Sequence, residues 1–310
     1  MNHKVAVIGA GNVGASTALY LAERGLADVQ LIDIVEGMPQ GKALDLLQAA
    51  PLWHTGGRIE GASDLATVSG ADVVVMTAGF PRKPGMSRTD LLKANADIVR
   101  PAAEAVKRHA PNATVVVVTN PLDVMAYLFW KITGFAKQRV MGMAGILDSA
   151  RFRAFIAMEL GVSGTDVQAM VLGGHGDSMV PLPGYTTVGG ISVTQLIAAG
   201  RLAEIIQRTR DGGAEIVKLL KTGSAYYAPA MSAVEMVQAL LTDQKRLVPC
   251  SVLLEGEYGM RDLFVGVPVI LGRRGVERII ELELSAEELN ALQASGRQVS
   301  EAIAELGVGV

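Results

Sequence analysis

Cysteine is all but missing from this chain of 310 residues, where Cys250 stands alone. A single thiol excludes an internal disulfide and a zinc centre built on paired cysteines. Its setting in LVPCSVLL predicts a buried, inert side chain. An excess of one charge is missing too. The 28 basic and 31 acidic residues leave a formal net charge of −3, which argues against a nucleic acid or an anionic membrane as the main partner. Long apolar runs are also lacking: VVVVTNPLDVMAYLFW is interrupted by Asn120, Pro121 and Asp123, so it falls short of a membrane span. The opening MNHKVAVIGAG enters an apolar strand directly, without the pattern of a signal or transit peptide. Internal repeats and low-complexity tracts are absent. The expectation is a cytoplasmic globular protein, half hydrophobic and long enough for one large domain or two medium ones.

What is present is an alternation of strands and helices. KVAVI, VQLID, VVVMT and TVVVVT are apolar on both faces, as strands of a covered parallel sheet must be. Between them GNVGASTALYLAERG, GKALDLLQAA and TDLLKANADIVRPAAEAVKRH have apolar residues at helical spacing. This order predicts an α/β fold with a doubly wound parallel sheet. Pro101 within the third helical stretch predicts a kink or break near residues 98–100. The character changes around residue 145. A helix in LDSARFRAFIAMELG is followed by a strand in DVQAMVLGG and irregular extended chain in VPLPGYTTVGG. Long helices over 202–220 and 225–241, strands in VPCSVLL, LFVGVPVILG and VERIIELEL, and a last helix opened by the capping box Ser285-Ala-Glu-Glu288 complete an α+β second half. The expected division is residues 1–145 and 146–310.

VAVIGAGNVGAS carries Gly9, Gly11 and Gly14 as G-x-G-x-x-G, with Asn12 and Val13 inside it. The first glycine permits a tight turn, the second lets backbone approach a pyrophosphate, and the third packs helix on strand. The helix N-terminus adds free N–H groups and positive dipole. In a chain with 35 glycines the motif alone is weak. Its specificity comes from the strand before it, the helix after it, and Asp33 at the end of the next strand, about 20 residues on. A carboxylate there accepts from ribose hydroxyls and repels a 2′-phosphate, which favours NAD over NADP.

Of four histidines, His3, His54 and His109 read as surface or packing residues, while His175 lies among glycines in VLGGHGDSMVP. A loop that bare leaves an imidazole open to a ligand. In ILDSARFR, Asp148 and Arg151 are three apart on one helical face, and Arg153 points elsewhere as a solvated charge. An Asp–Arg pair at this spacing is often an ordinary surface ion pair. Together, however, the three residues have the chemistry that oxidation of a hydroxy acid by NAD requires, a base for the hydroxyl proton and a clamp for the carboxylate.

GAGNVG, the Asp33 strand end, FPRKPGMSR, VTNPLDV, LDSARFR and GGHGDSM resemble, in order and spacing, the lactate/malate dehydrogenase family. The resemblance extends to VGVPVILGRRGVERIIELELS and so covers essentially the whole chain. It implies a Rossmann domain with a mobile loop at 79–89, then a substrate domain of the same family type. Within the family the chain resembles the NAD-dependent malate dehydrogenases that stand nearest to lactate dehydrogenases, enzymes of the tricarboxylic acid cycle. Carried onto these positions, the resemblance implies that His175 accepts the proton in malate oxidation and that Asp148 holds its ring. Arg151 would grip the C1 carboxylate and Arg88 would polarise the reacting C–O bond. Asn120 would contact substrate and nicotinamide, with Val118, Thr119 and Asn95 lining the cofactor. A cis bond is implied at Asn120–Pro121. The family forms dimers and tetramers, and the nearness to lactate dehydrogenases favours a homotetramer. No metal is implied.

The loop AGFPRKPGMSR holds Arg82, Lys83 and Arg88, and Gly79, Pro81, Pro84 and Gly85 keep it out of helix and sheet. Lactate dehydrogenases carry an uncharged residue, usually glutamine, where this chain has Arg82. Oxaloacetate has a second carboxylate that pyruvate lacks, so the resemblance makes Arg82 the selector for malate and oxaloacetate. Closing over pyruvate would bury Arg82 without a partner. Three other readings stand beside this one: a lactate or other 2-hydroxy acid dehydrogenase, an NAD-dependent glycosidase with a metal held by cysteine and histidine, and a non-catalytic nucleotide sensor. Arg82 opposes the first. Cys250, away from the site motifs, opposes the second. The complete His–Asp–Arg set opposes the third.

Overall fold

The computed structural model describes residues 3–53, 56–81 and 87–307. Its first half runs β1 (Lys4–Ile8), α1 (Asn12–Glu23), β2 (Asp28–Ile32), α2 (Met38–Trp53), β3 (Ile59–Ala62), β4 (Val73–Met76), α3 (Arg88–His109), β5 (Thr114–Val117), α4 (Leu122–Thr133) and β6 (Val140–Gly142). All six strands pair in parallel, in the order β3-β2-β1-β4-β5-β6. Parallel neighbours need long crossovers, and here helices supply them and cover the sheet on both faces. The strand alternation then sorts side chains into two cores. Val5, Val7, Val73 and Val75 join one, while Ala6, Ile8, Val74 and Met76 join the other.

The second half runs α5 (Gly145–Leu160), β7 (Val167–Gln168), β8 (Val171–Leu172), β9 (Val180–Pro181), β10 (Thr187–Val188), β11 (Ile191–Ser192), α6 (Val193–Leu196), α7 (Ala199–Leu220), α8 (Tyr227–Leu241), β12 (Arg246–Glu255), β13 (Arg261–Gly272), β14 (Gly275–Ile279) and α9 (Ala286–Glu305). The long strands β12, β13 and β14 form an antiparallel meander, as the α+β reading expects. They do not make a separate sheet. β12 joins β6 at Ser251 opposite Gly142, extending the parallel sheet to nine strands. Gly142 makes the junction possible, because a Cβ there would lie 3.0 Å from the Ser251 Cβ.

Two expectations need correction. The expected break at Pro101 does not occur, since α3 continues from Arg88 to His109. Pro101 removes one backbone donor, yet the buried stripe of Val99, Ala102, Ala103 and Val106 keeps both halves of the helix against one core. DVQAMVLGG is not one strand. Val167 and Gln168 pair with β10, whereas Val171 and Leu172 pair with β9, so one apolar run serves two small sheets. Among the described residues no helix is long and apolar enough to cross a membrane.

Candidate active site

In the order 3-2-1-4-5-6 the chain winds outward in opposite directions from β1 and β4. The loops at their carboxyl ends therefore part and leave a crevice. The residues expected to hold the cofactor collect there. Gly9, Gly11, Asn12, Val13 and Gly14 follow β1, Asp33 follows β2, and Val118, Thr119 and Asn120 follow β5. Gly9 has φ +104°, and a Cβ on it would stand 2.5 Å from the Ala78 nitrogen at the end of β4. A Cβ on Gly14 would overlap the Gly9 carbonyl. Gly11 has open space in front of it and caps α1 without a side-chain hydrogen bond, so the start of the helix is clear for an anion.

Asp33 is tied into this cradle. Its Oδ2 accepts from the Ala10 N–H at 2.7 Å and its Oδ1 from the Val35 N–H at 3.1 Å. A carboxylate has about four lone-pair sites, so acceptors remain for ribose hydroxyls. Lys42, on α2, donates to the Ala10 carbonyl at 2.7 Å and so holds the next peptide of the same turn. The residues present thus fit a dinucleotide. Asn95 is fully buried, and its amide bonds the Phe80 N–H at 2.7 Å, the Phe80 carbonyl at 3.1 Å and the Asn120 carbonyl at 2.6 Å. It ties the loops after β4 and β5 together. Thr119 adds a bond from its hydroxyl to the Ala78 carbonyl at 2.7 Å. The Asn120–Pro121 peptide is cis, as expected.

The second half brings His175 to Asp148 and Arg151. The His175 Nδ1 lies 3.0 Å from Asp148 Oδ2, and Arg151 Nη1 lies 3.5 Å from Asp148 Oδ1. The loop is bare, as expected, but His175 is not open: its side chain is only 14% exposed. Burial pushes its imidazole down, but the Asp148 carboxylate and its hydrogen bond to the ring outweigh this, and His175 titrates above its ordinary value. Arg151 lowers it and Asp123 raises it further. The Arg151 guanidinium is nearly buried, and burial pulls its basicity down against the pull of Asp148. Its Nε has no partner among the described residues. Gly212 and Gly213 on α7 pack against its guanidinium end, and a Cβ at Gly212 would meet Arg151 Cδ at 3.3 Å. Such a cation, buried beside one distant carboxylate, is built to receive an anion. Arg153 turns away to the Gly164 carbonyl, as expected.

Arg88 is exposed at the first residue of α3 and takes no part in the His175–Asp148–Arg151 hydrogen bonds. The expected loop at 79–89 is shorter by two, since Ser87 caps α3 through a capping box with Asp90. Arg82 and Lys83 lie outside the described residues, as does His54. Cys250 is buried, and burial pushes its thiol up. Sequence reasoning missed Asp123 and Ser295, which bond the histidine loop, and Ser251, which bonds Asp123. Asp123 lies inside the quoted motif VTNPLDV, where an acid in an apolar helix start was a usable signal. The two serines carried none.

The model of the lactate/malate dehydrogenase NAD binding domain matches residues 3–142, and that of the alpha/beta C-terminal domain matches residues 146–307. The chain belongs to the lactate/malate dehydrogenase family. Its family cofactor is NAD, for which the cradle after β1 is shaped. A relative named malate dehydrogenase, from Roseiflexus sp. (strain RS-1), is 54% identical over 306 residues that cover 99% of each chain. The malate dehydrogenase of Cryptosporidium parvum superposes with a TM-score of 0.97 at 46% identity, covering 100% of both chains. The lactate dehydrogenase of Cryptosporidium parvum complexed with lactic acid and nicotinamide adenine dinucleotide gives a TM-score of 0.95 at 43% identity, covering 100% of this chain and 99% of that one.

Proposed function

We propose that this member of the family is an NAD-dependent malate dehydrogenase that interconverts (S)-malate and oxaloacetate. The observation that carries the proposal is the nearly buried Arg151 guanidinium beside the His175–Asp148 pair, a carboxylate clamp next to a proton acceptor. Relatives 54–56% identical over nearly the whole chain, all named malate dehydrogenase, support malate as the substrate.

Bound NAD supplies the hydride acceptor. The site geometry supports the parts of His175, Asp148 and Arg151, and the family resemblance supports those of the other residues. Arg151 binds the C1 carboxylate through two hydrogen bonds. Asp148 accepts from Nδ1–H of His175, which leaves the lone pair on Nε2 to take the hydroxyl proton. Asp148 also stabilises the imidazolium that forms. Arg88 polarises the C–O bond and balances charge on oxygen once the loop before α3 folds over the substrate. Arg82 in that loop pairs with the second carboxylate, and Asn120 contacts substrate and nicotinamide. Gly9, Gly11, Asn12, Val13, Gly14, Asp33, Asn95, Val118 and Thr119 hold the cofactor, Asn95 by fixing the loops around it. Residues 1–145 act as the cofactor domain and 146–310 as the substrate domain. The proposal extends to a cytoplasmic homotetramer working in the tricarboxylic acid cycle.

The test is the initial rate of NADH oxidation with oxaloacetate and with pyruvate. Wild-type enzyme should prefer oxaloacetate, and Arg82→Gln should reduce that preference by about 30-fold, the equivalent of ~2 kcal/mol for a lost charge pair. Equal rates with both acids on the wild type would instead favour a broad 2-hydroxy acid dehydrogenase. His175→Asn should abolish turnover while NADH still binds.

A further inference from the structure

His175 is set in a stretch of backbone with little stiffness of its own. Gly173, Gly174 and Gly176 surround it, and Gly173 and Gly176 have φ of +86° and +116°. Glycine adds conformational freedom, so the position of the imidazole depends on bonds from outside the loop. Gly173 exchanges two backbone hydrogen bonds with Gly266 on β13, at 2.8 and 3.1 Å. The Gly174 N–H donates to Ser295 Oγ on α9 at 2.7 Å. The His175 N–H donates to Oδ2 of Asp123 at 2.9 Å.

Asp123 lies in the first turn of α4 with 5% of its surface exposed. An ionised carboxylate is costly to bury unless its oxygens are engaged. Here both are, since Oδ1 accepts from the Ser251 hydroxyl on β12 at 2.6 Å. Burial still pushes this carboxyl up against the pull of Ser251 and of the His175 N–H. A neutral amide could serve the same two partners without burying a charge, so hydrogen bonding alone does not account for an acid here. Gly174 rests directly on it, for a Cβ there would come within 3.3 Å of Oδ2.

We propose that Asp123 is a positioning residue, gripping the main-chain N–H of His175 and thereby setting the imidazole in line with Asp148 for proton transfer. The inference rests on His175 being the proton acceptor. The grip carries a charge as well. The groups facing the His175 ring are Asp148 and Arg151 from α5 and Asp123 from α4, and those facing Asp123 are Ser251, His175 and Asp148. Two carboxylates thus face the imidazolium against one guanidinium.

Asparagine separates position from charge. In Asp123→Asn the amide oxygen can accept the His175 N–H while the amide nitrogen donates to Ser251 Oγ, so both bonds survive and the charge is lost. Alanine removes both. Asp123→Ala should lower kcat for oxaloacetate reduction about 100-fold with NADH affinity unchanged, the scale expected for a misplaced catalytic group. Asp123→Asn should restore kcat to within about tenfold of wild type. The midpoint of its kcat/KM pH profile should lie below the wild-type value, because one negative charge near the imidazolium is gone. The inference is overturned if Asp123→Ala turns over within about twofold of wild type. It is equally overturned if asparagine rescues nothing, or if both variants lose NADH binding as a misfolded protein would. His175→Asn, run alongside, separates the two levels. If it stays active, the histidine assignment itself fails; if it is dead while Asp123→Ala is normal, only the positioning role fails.

Discussion

A neutral imidazole carries one N–H, and at His175 the Asp148 carboxylate decides which nitrogen holds it. The 3.0 Å contact at Nδ1 leaves the Nε2 lone pair open to accept a proton. The same contact opposes burial and holds the imidazolium to a higher pH than the ordinary 6.5. The sign of the pH dependence follows. With His175 as the proposed proton donor, oxaloacetate reduction needs the imidazolium, so its kcat/KM should be level in acid and fall as pH rises through a midpoint above 6.5. Malate oxidation needs the neutral ring and should rise with pH as the imidazolium loses its proton. Profiles of both directions with the cofactor saturating check this, and a midpoint below the ordinary value would contradict the electrostatic account. At this scale His175, Asp148 and Arg151 were legible because their chemistry is unusual for their setting. Ser251 and Ser295 were not, since a lone serine in a strand or helix has no pattern that announces a distant partner.

Among elements, α9 shows how local and distant demands combine. Its start is written in sequence: the Ser285 hydroxyl accepts the Glu288 N–H, and the Glu288 carboxylate accepts the Ser285 N–H at 2.9 Å. Replacing Ser285 by alanine should cost about 1 kcal/mol, seen as a lower urea midpoint, with kcat unchanged because Ser295 lies well inside the helix. The middle of α9 was not legible as a support for the histidine loop, because nothing local requires Ser295 to face Gly174. α3 makes the converse point. Local chemistry at Pro101 argues for a break, and the shared core behind Val99 and Val106 overrides it. β12 carries both lessons in adjacent residues. Its pleat sends Cys250 into the core and Ser251 to Asp123.

At the scale of the whole molecule, nine strands form one sheet whose parallel part carries the cofactor cradle. Its antiparallel part supports the histidine loop through Gly266. Several apolar side chains near α2 stay exposed. Leu44, Leu47 and Leu52 on α2 are 55%, 47% and 78% exposed, and Ile34 and Val35 just before it are exposed as well. Exposed apolar side chains grouped on and just before one helix suit association with another chain. Light scattering should find an assembly of four chains, and Leu44→Glu with Leu47→Glu should shift it to smaller species. A monomer in the wild type would refute the assembly.

The sequence by itself determined the βαβ order, the glycine cradle with its acid, the chemistry of the His–Asp–Arg set and the family. Each of these is written in local periodicity, in short motifs or in their spacing along the chain. Tertiary structure alone decided that β12 closes against β6, that α3 continues through its proline, and that Asp123 and Ser295 bond the histidine loop while Ser251 bonds Asp123. The physical reason is distance along the chain. Ser251 and Asp123 are 128 residues apart, and Ser295 and Gly174 are 121 apart. Hydrogen bonds across such separations leave no local pattern, because they form only when the packed sheet brings their elements together.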